Sequence, residues 1–328
     1  MKFSMIVRFA CLGVLFVVIV AALPLVGRPM LDPRTLQTDT IAETFYRWRV
    51  PRTLLSLVAG GGLALAGLVF QALFRNPLAT PYTLGVASGA SLGAALYYQF
   101  GWGITVLFFG IPHISWAAFG GALLAMSVVY CLARMKDASS GQMLLAGVAV
   151  NFFFASLILL LQYVAERHNA LRMLHWTMGG VADASLKDFC RLCPFVFGSG
   201  LILFFLSREL NVLVTGREQA LAFGVNVERL RTLLFLMSSL LVGAIVAVSG
   251  PIGFVGLMVP HIARMFVGPD HSKLVPATLF FGAIFLALCD VLARSVIPKS
   301  ELPVGIVTSL LGGPFFLWLL LRSEKRLG

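Results

Sequence analysis

RVPRTLLSLVAGGGLALAGLVFQALFRNPLATPYTLGVASGA, residues 49–90, decides the fold. No charged residue lies between Arg52 and Arg75, and residues 54–74 form one apolar run. A bilayer's hydrocarbon is about 30 Å thick and takes about 20 apolar residues to cross as a helix, so the run has the length of one crossing. Pro51 stands at the entrance, where a helix's first turn tolerates a missing N–H. The run stops at Arg75, Asn76 and Pro77, and a second apolar stretch begins at 82. The segment therefore predicts two membrane helices joined by a short turn. Both are crowded with small residues: Gly60, Gly61, Gly62 and Gly67 in the first, and Gly85, Gly89 and Gly93 at four-residue spacing on one face of the second. Such faces let helix backbones approach closely in lipid.

The rest of the chain repeats this pattern. Of its 328 residues 59% are hydrophobic and 12% charged, against roughly 25% charged in an ordinary soluble domain. No aqueous core could hide so much apolar surface. Apolar runs fall at 6–27, 54–74, 82–100, 116–134, 142–164, 191–207, 232–249, 252–268, 274–296 and 304–321. Each must be helical, because lipid offers the backbone no other hydrogen-bond partner. The expected fold class is an all-α polytopic membrane protein of about ten spans, a single transmembrane domain over 1–328 with no sizeable soluble part. The first run, Phe9 to Val26, follows Lys2 and Arg8 as a secretory signal would, but its length and the many equal runs after it mark it as the first span. The run at 252–268 is interrupted by Pro260, His261 and Arg264, and Gly103–Ile111 is apolar but too short to cross.

Lysine and arginine in the connections favour the cytoplasm. With the N-terminus inside, fourteen of the 25 fall on the inner side and eleven on the outer, a slight preference for cytoplasmic N- and C-termini. The outer side is nonetheless rich in arginine, including Arg49, Arg52, Arg167, Arg172 and Arg294. Either an acidic partner or anionic substrate meets them, or they anchor helix ends among lipid headgroups.

Catalytic patterns are missing from the sequence: there is no G-x-x-x-x-G-K-[ST], no H-E-x-x-H and no G-x-S-x-G. No enzyme chemistry, metal site or cofactor is expected of these residues, and if transport here is driven by ATP another polypeptide must bind it. Cys190 and Cys193 form a lone C-x-x-C and read as packing residues. Ionisable residues inside the spans are few: Asp290 and Arg294 in the ninth, His261 and Arg264 in the eighth. Asp290 and Arg294, four apart on one helical face, could pair with each other or line a substrate path. His168 and His175 fall on the outer side beside the fifth and sixth spans, where they could meet haem iron or simply be solvated. A proton-coupled secondary transporter would place carboxylates along its route, and the spans hold almost none.

The longest polar cytoplasmic connection, 208–231, contains GREQALAFGVNVERLR. Gly216, Ala220 and Gly224 are spaced by four. A helix through them would carry a small-residue strip flanked by Arg217, Glu218, Gln219 and Phe223, on which another protein could pack, unless the segment is a solvated linker.

Residues 49–90, this loop, GPIGFVGLMVPHIARMFVGPDHSKLVPA (250–277) and ELPVGIVTSLLGGPFFLWLLL (301–321) together resemble the permease subunit of type II ABC importers for ferric siderophores, haem and cobalamin. The likeness runs from about residue 45 to the end. It implies ten helices per chain, with spans two to five and seven to ten as inverted repeats, and a homodimer whose translocation path follows the two-fold axis. It also implies two cytoplasmic ATP-binding subunits, a periplasmic substrate-binding protein, residence in a bacterial inner membrane, and no dealings with nucleic acid. Carried over residue by residue, Arg49, Arg52 and Arg294 match positions that present arginines to glutamates of the binding protein. Gly216, Glu218, Ala220, Gly224 and Asn226 match the loop that seats in the ATPase, and Asn76, Ser140 and Gly141 the cytoplasmic narrowing of the path. The cargo implied is an iron complex, siderophore or haem, with cobalamin the alternative and a secondary transporter the rival from another class.

Overall fold

The computed structural model describes residues 20–27, 43–100, 112–135, 140–297 and 300–324, and every regular element among them is a helix. A π-helical turn at Thr44–Arg49 runs straight into α1 (Val50–Phe74). Then follow α2 (Val86–Phe100), α3 (His113–Met135), α4 (Ser140–Val164), α5 (Arg167–Thr177), α6 (Leu186–Phe205), α7 (Ser207–Thr215), α8 (Arg217–Ala222), α9 (Val227–Ser249), α10 (Val255–Val267), α11 (His271–Ser295) and α12 (Val304–Glu324). Nine of the ten expected spans lie on helices. Most of the first lies outside the described residues, as does all of the short run at Gly103–Ile111; of the first span only the end is described, closing in a 3-10 turn at Leu23–Leu25.

Several bounds differ from the apolar runs for local reasons. The helix expected from 82 begins at Val86, because Thr80 and Thr83 bond to each other's backbone and side chains and fold 80–83 into a turn. Gly85, at φ +80°, ends that turn outside α2, so only Gly89 and Gly93 share the helical face. The eighth span is the 13-residue α10, bounded by left-handed Phe254 and by Gly268 at φ +83°. α5, α7 and α8 are too polar or too short to register as apolar runs.

α1 is the hub. Its 18-residue apolar window is 94% buried, against 17% for that of α4, and α6, α9, α10 and α11 all pack on it. Its small residues are why. A Cβ at Gly60 would overlap the Gly282 carbonyl of α11, and one at Gly67 would overlap the Gly256 backbone of α10. Closeness of this kind replaces, in lipid, the hydrophobic drive that holds soluble helices together.

The two halves repeat one pattern. α2 packs on α3, α3 on α4 and α2 on α4, just as α10 packs on α11, α11 on α12 and α10 on α12. Each half's first helix crosses into the other: α1 meets α10 and α11, and α9 meets α2 and α3. Between α1 and α9 lie the crossings α2, α3, α4 and α6, so α9 runs opposite to α1 and the halves are inverted. One end of the bundle thus gathers Arg49, Arg52, the end of α11 and α5. The other gathers Asn76, the start of α4, and α7–α8.

Candidate functional site: the two ends of the bundle

At the first end the sequence's three arginines converge, but they point inward. Arg49, Arg52 and Arg294 are at most 7% exposed. The Arg52 Nε donates to Asp290 Oδ1 at 2.7 Å and its Nη1 to Glu301 Oε2. Arg294 Nη2 donates to the Leu23 carbonyl at 2.7 Å, and Arg49 Nη1 reaches the Pro24 and Leu25 carbonyls, each at 3.4 Å. Those carbonyls lie in the 3-10 turn at Leu23–Leu25, a helix end where spare carbonyl lone pairs and the negative end of the dipole favour a cation. Asp290 does not choose Arg294 as its close partner, as four-residue spacing allowed: Arg294 Nε stays 3.9 Å from Asp290 Oδ2, while Arg52 comes across from α1. Sequence reasoning missed Glu301, whose only signal was an acidic residue two positions before a proline.

Beside this cluster opens a cavity of about 460 Å³ lined by Arg52, Tyr98, Arg172, His175, Asp183 and Glu301 among others. The Arg172 guanidinium lies over the Tyr98 ring, 5.2 Å from its centre, and ties α5 to α2. His168 and His175 are both exposed on α5. They stand seven positions, about 10 Å of helix rise, apart.

At the second end the segment 208–231 is not one helix. Gly216, at φ +140°, separates α7 from α8, and Gly224, at φ +77°, terminates the turn after α8. Ala220 is fully buried. The expected strip of small residues therefore does not face outward: two of its members are breaks and the third packs inside. Exposed on the segment are the apolar Leu221 and the 76%-exposed Phe223, beside exposed Arg217, Glu218 and Gln219. Two recesses adjoin them, one of about 600 Å³ reaching Arg208 and Arg229, the other of about 310 Å³ between Arg217 and Glu228, which pair at 3.3 Å. Glu218 opens α8, and Asn226 caps α9 by accepting the Arg229 N–H at 3.1 Å.

α7 is lashed to α11. Asn211 Nδ2 donates to Asp270 Oδ1 at 2.8 Å, while Asn211 Oδ1 accepts the His271 backbone N–H at 2.9 Å and lies 2.7 Å from its Nδ1. The bonds from Asn211 and Ser272 hold the Asp270 carboxyl down to about 2, well below its ordinary value. Arg264, the other charge noted inside the spans, donates to Gln71 Oε1 of α1 at 2.6 Å, and Gln71 in turn donates to the Gly256 carbonyl at 3.2 Å. Asn76 accepts the Leu78 N–H at 2.9 Å and so shapes the turn after α1, while Ser140 opens α4 and Gly141 is exposed at the same end.

The described bundle thus has inverted halves, a cluster of buried arginines at one end and short projecting helices at the other. The model of the FecCD transport family matches residues 8–322. The chain belongs to that family. It is 38% identical over 317 residues to the hemin transport system permease HmuU of Yersinia pestis, with 95% of each chain covered. It is 39% identical over 279 residues to the cobalamin import system permease BtuC of Halobacterium salinarum, covering 85% of this chain and 73% of that protein. A solved metal-chelate-type ABC transporter in an inward-facing conformation superposes with a TM-score of 0.84 at 32% identity, over 95% of this chain and 97% of that one. This FecCD permease is a multi-pass membrane transport subunit of an ABC importer. Hydrolysis of ATP belongs to a separate subunit, and the family works with ATPase and substrate-binding partners.

Proposed function

We propose that the chain forms a homodimer carrying an iron complex, a siderophore or haem, across a bacterial inner membrane, served by two ATPase subunits inside and a periplasmic binding protein outside. Its N- and C-termini are cytoplasmic in this reading. The observation that carries it is the second end: α7 and α8 project between α6 and α9, expose Leu221 and Phe223 beside two recesses, and are tied through Asn211 to α11. Elements built in this way can pass a partner's movement into the bundle, switching access from one side to the other. Gly216, Glu218, Ala220, Gly224 and Asn226 then give the coupling segment its shape, and Asn76, Ser140 and Gly141 bound the cytoplasmic mouth. Arg49, Arg52 and Arg294 form the docking end, with Arg52 nearest the partner and the other two holding the first span in place.

Likeness to the hemin permease favours an iron-chelate cargo, and likeness to the cobalamin permease sustains a corrinoid as the second reading. The test is ATP-driven uptake of haem, a ferric hydroxamate and cobalamin into proteoliposomes holding the permease, its ATPase and its binding protein. Accumulation of an iron complex alone is expected. Cobalamin uptake would select the second reading, and uptake with no ATPase present would revive a secondary transporter. Orientation is checked by single cysteines: Ala182→Cys should label from outside intact cells and Thr215→Cys should not.

A further inference from the structure

Two of the three arginines at the docking end are committed to the chain's own backbone, Arg294 to Leu23 and Arg49 to Pro24 and Leu25. Arg52 differs. Its Nε is held by Asp290, which is 1% exposed, but its Nη1 is held by Glu301, whose side chain is 56% exposed and lines the open cavity beside it. The Glu301 backbone is anchored next door, since the Leu302 N–H donates to the Ala293 carbonyl at 3.1 Å. The side chain alone can therefore swing away while the loop stays. A carboxylate coming from the aqueous side finds Arg52 already occupied and almost covered, so it must replace the acceptor that lies over it. Buried Asp290 cannot be the one to leave, because Arg52 and Arg294 would remain uncompensated in a site sealed from water.

We propose that Glu301 is an internal stand-in for a partner's carboxylate: it occupies the outer edge of the Arg52 guanidinium until an acidic protein surface docks and takes its place. The proposal rests on the docking reading above. It makes docking an exchange of one charge-assisted bond for another, so the gain from each contact is small and the complex stays releasable. Glu301 also repels approaching carboxylates until it moves, which slows association.

The test titrates the substrate-binding protein onto the permease–ATPase complex in nanodiscs, comparing wild type with Glu301→Gln, Arg52→Lys and the double variant. Glu301→Gln should bind about two- to fivefold tighter, most of the gain in association rate. Arg52→Lys, which keeps the charge but loses the fork, should bind more weakly, and the gain from Glu301→Gln should vanish in the double variant. Unchanged or weaker binding by Glu301→Gln, with Arg52→Lys weakened, overturns the exchange and leaves docking intact. Wild-type affinity for Arg52→Lys overturns docking itself. If Glu301→Gln fails to assemble, Glu301→Asp, with its shorter reach, should give the same gain at smaller size, and no gain there overturns the exchange.

Discussion

The guanidinium of Arg52 on α1 and the carboxylate of Asp290 on α11 meet at 2.7 Å across 238 residues of sequence, both all but sealed from solvent. The pair joins the hub helix to α11, which packs along it. Removing one member of a buried pair leaves the other charge stranded, a penalty of about 3–5 kcal/mol, whereas replacing both with apolar residues of similar volume is often neutral. Asp290→Ala, which leaves both Arg52 and Arg294 without it, should therefore lower the melting temperature in detergent more than Arg52→Met with Asp290→Leu combined, which strands Arg294 alone in the buried site. Equal losses would mean that packing volume, and not charge, holds this end together.

The close crossings of α1 set a second expectation. Gly67 admits no Cβ because the Gly256 backbone already occupies the space, whereas a Cβ at Gly198 of α6 meets nothing within 4 Å. Gly67→Ala should reduce the yield of folded protein sharply. Gly198→Ala should be neutral or stabilising by up to about 1 kcal/mol, since alanine is the better helix former. Monodisperse yield on gel filtration separates the two, and equal yields would show that α1 and α10 shift apart freely.

Lipid makes spans easy to read: residues 54–74 stand on α1 because an uncharged stretch of that length has one stable solution in a bilayer. The shape of the coupling segment was not legible in the same way. Equal spacing of Gly216, Ala220 and Gly224 fits a helical face and a series of breaks alike, and only backbone torsions tell them apart. The arginines at 49, 52 and 294 were visible as residues, yet their inward aim was not. Their acceptors, the Leu23–Leu25 carbonyls, Asp290 and Glu301, come from segments distant in sequence, and periodicity carries no information on such pairings. Gln71 was hidden for the same reason, one polar residue in an apolar run whose partner Arg264 lies in the other half.

Asp270 makes the lashing of α7 to α11 sensitive to acid. Its pKa of about 2 in the folded protein lies below its ordinary 3.8, so its contribution to stability is complete above about pH 5 and is lost as the pH falls through that range towards 2. The difference in melting temperature between wild type and Asp270→Asn should stay constant from pH 8 to pH 5 and narrow between about pH 4 and pH 2. A difference that changes between pH 6 and pH 8 would assign the tie to a histidine.

Phe223 offers the sharpest test of coupling. It stands 76% exposed at the tip of the α8 turn, next to a recess of about 600 Å³, whereas Ala220 three residues earlier is buried. An apolar ring held in water by a rigid turn is a natural anchor for a partner's pocket, and anchors of this kind carry 2 kcal/mol or more, roughly thirtyfold in affinity. Phe223→Asp should leave the melting temperature of the free permease nearly unchanged, because an exposed substitution moves stability by about 0.5 kcal/mol or less. Its affinity for the ATPase subunit should fall by about ten- to a hundredfold, and ATP-driven uptake should fall with it. Gly224→Ala separates contact from backbone shape: its Cβ meets no neighbour, so any loss comes from forcing alanine into φ +77°, about 1 kcal/mol. ATPase affinity equal to wild type in Phe223→Asp, measured with the purified pair in nanodiscs, would move the contact off the α8 turn and leave α7 and α8 as a structural link between α6 and α9.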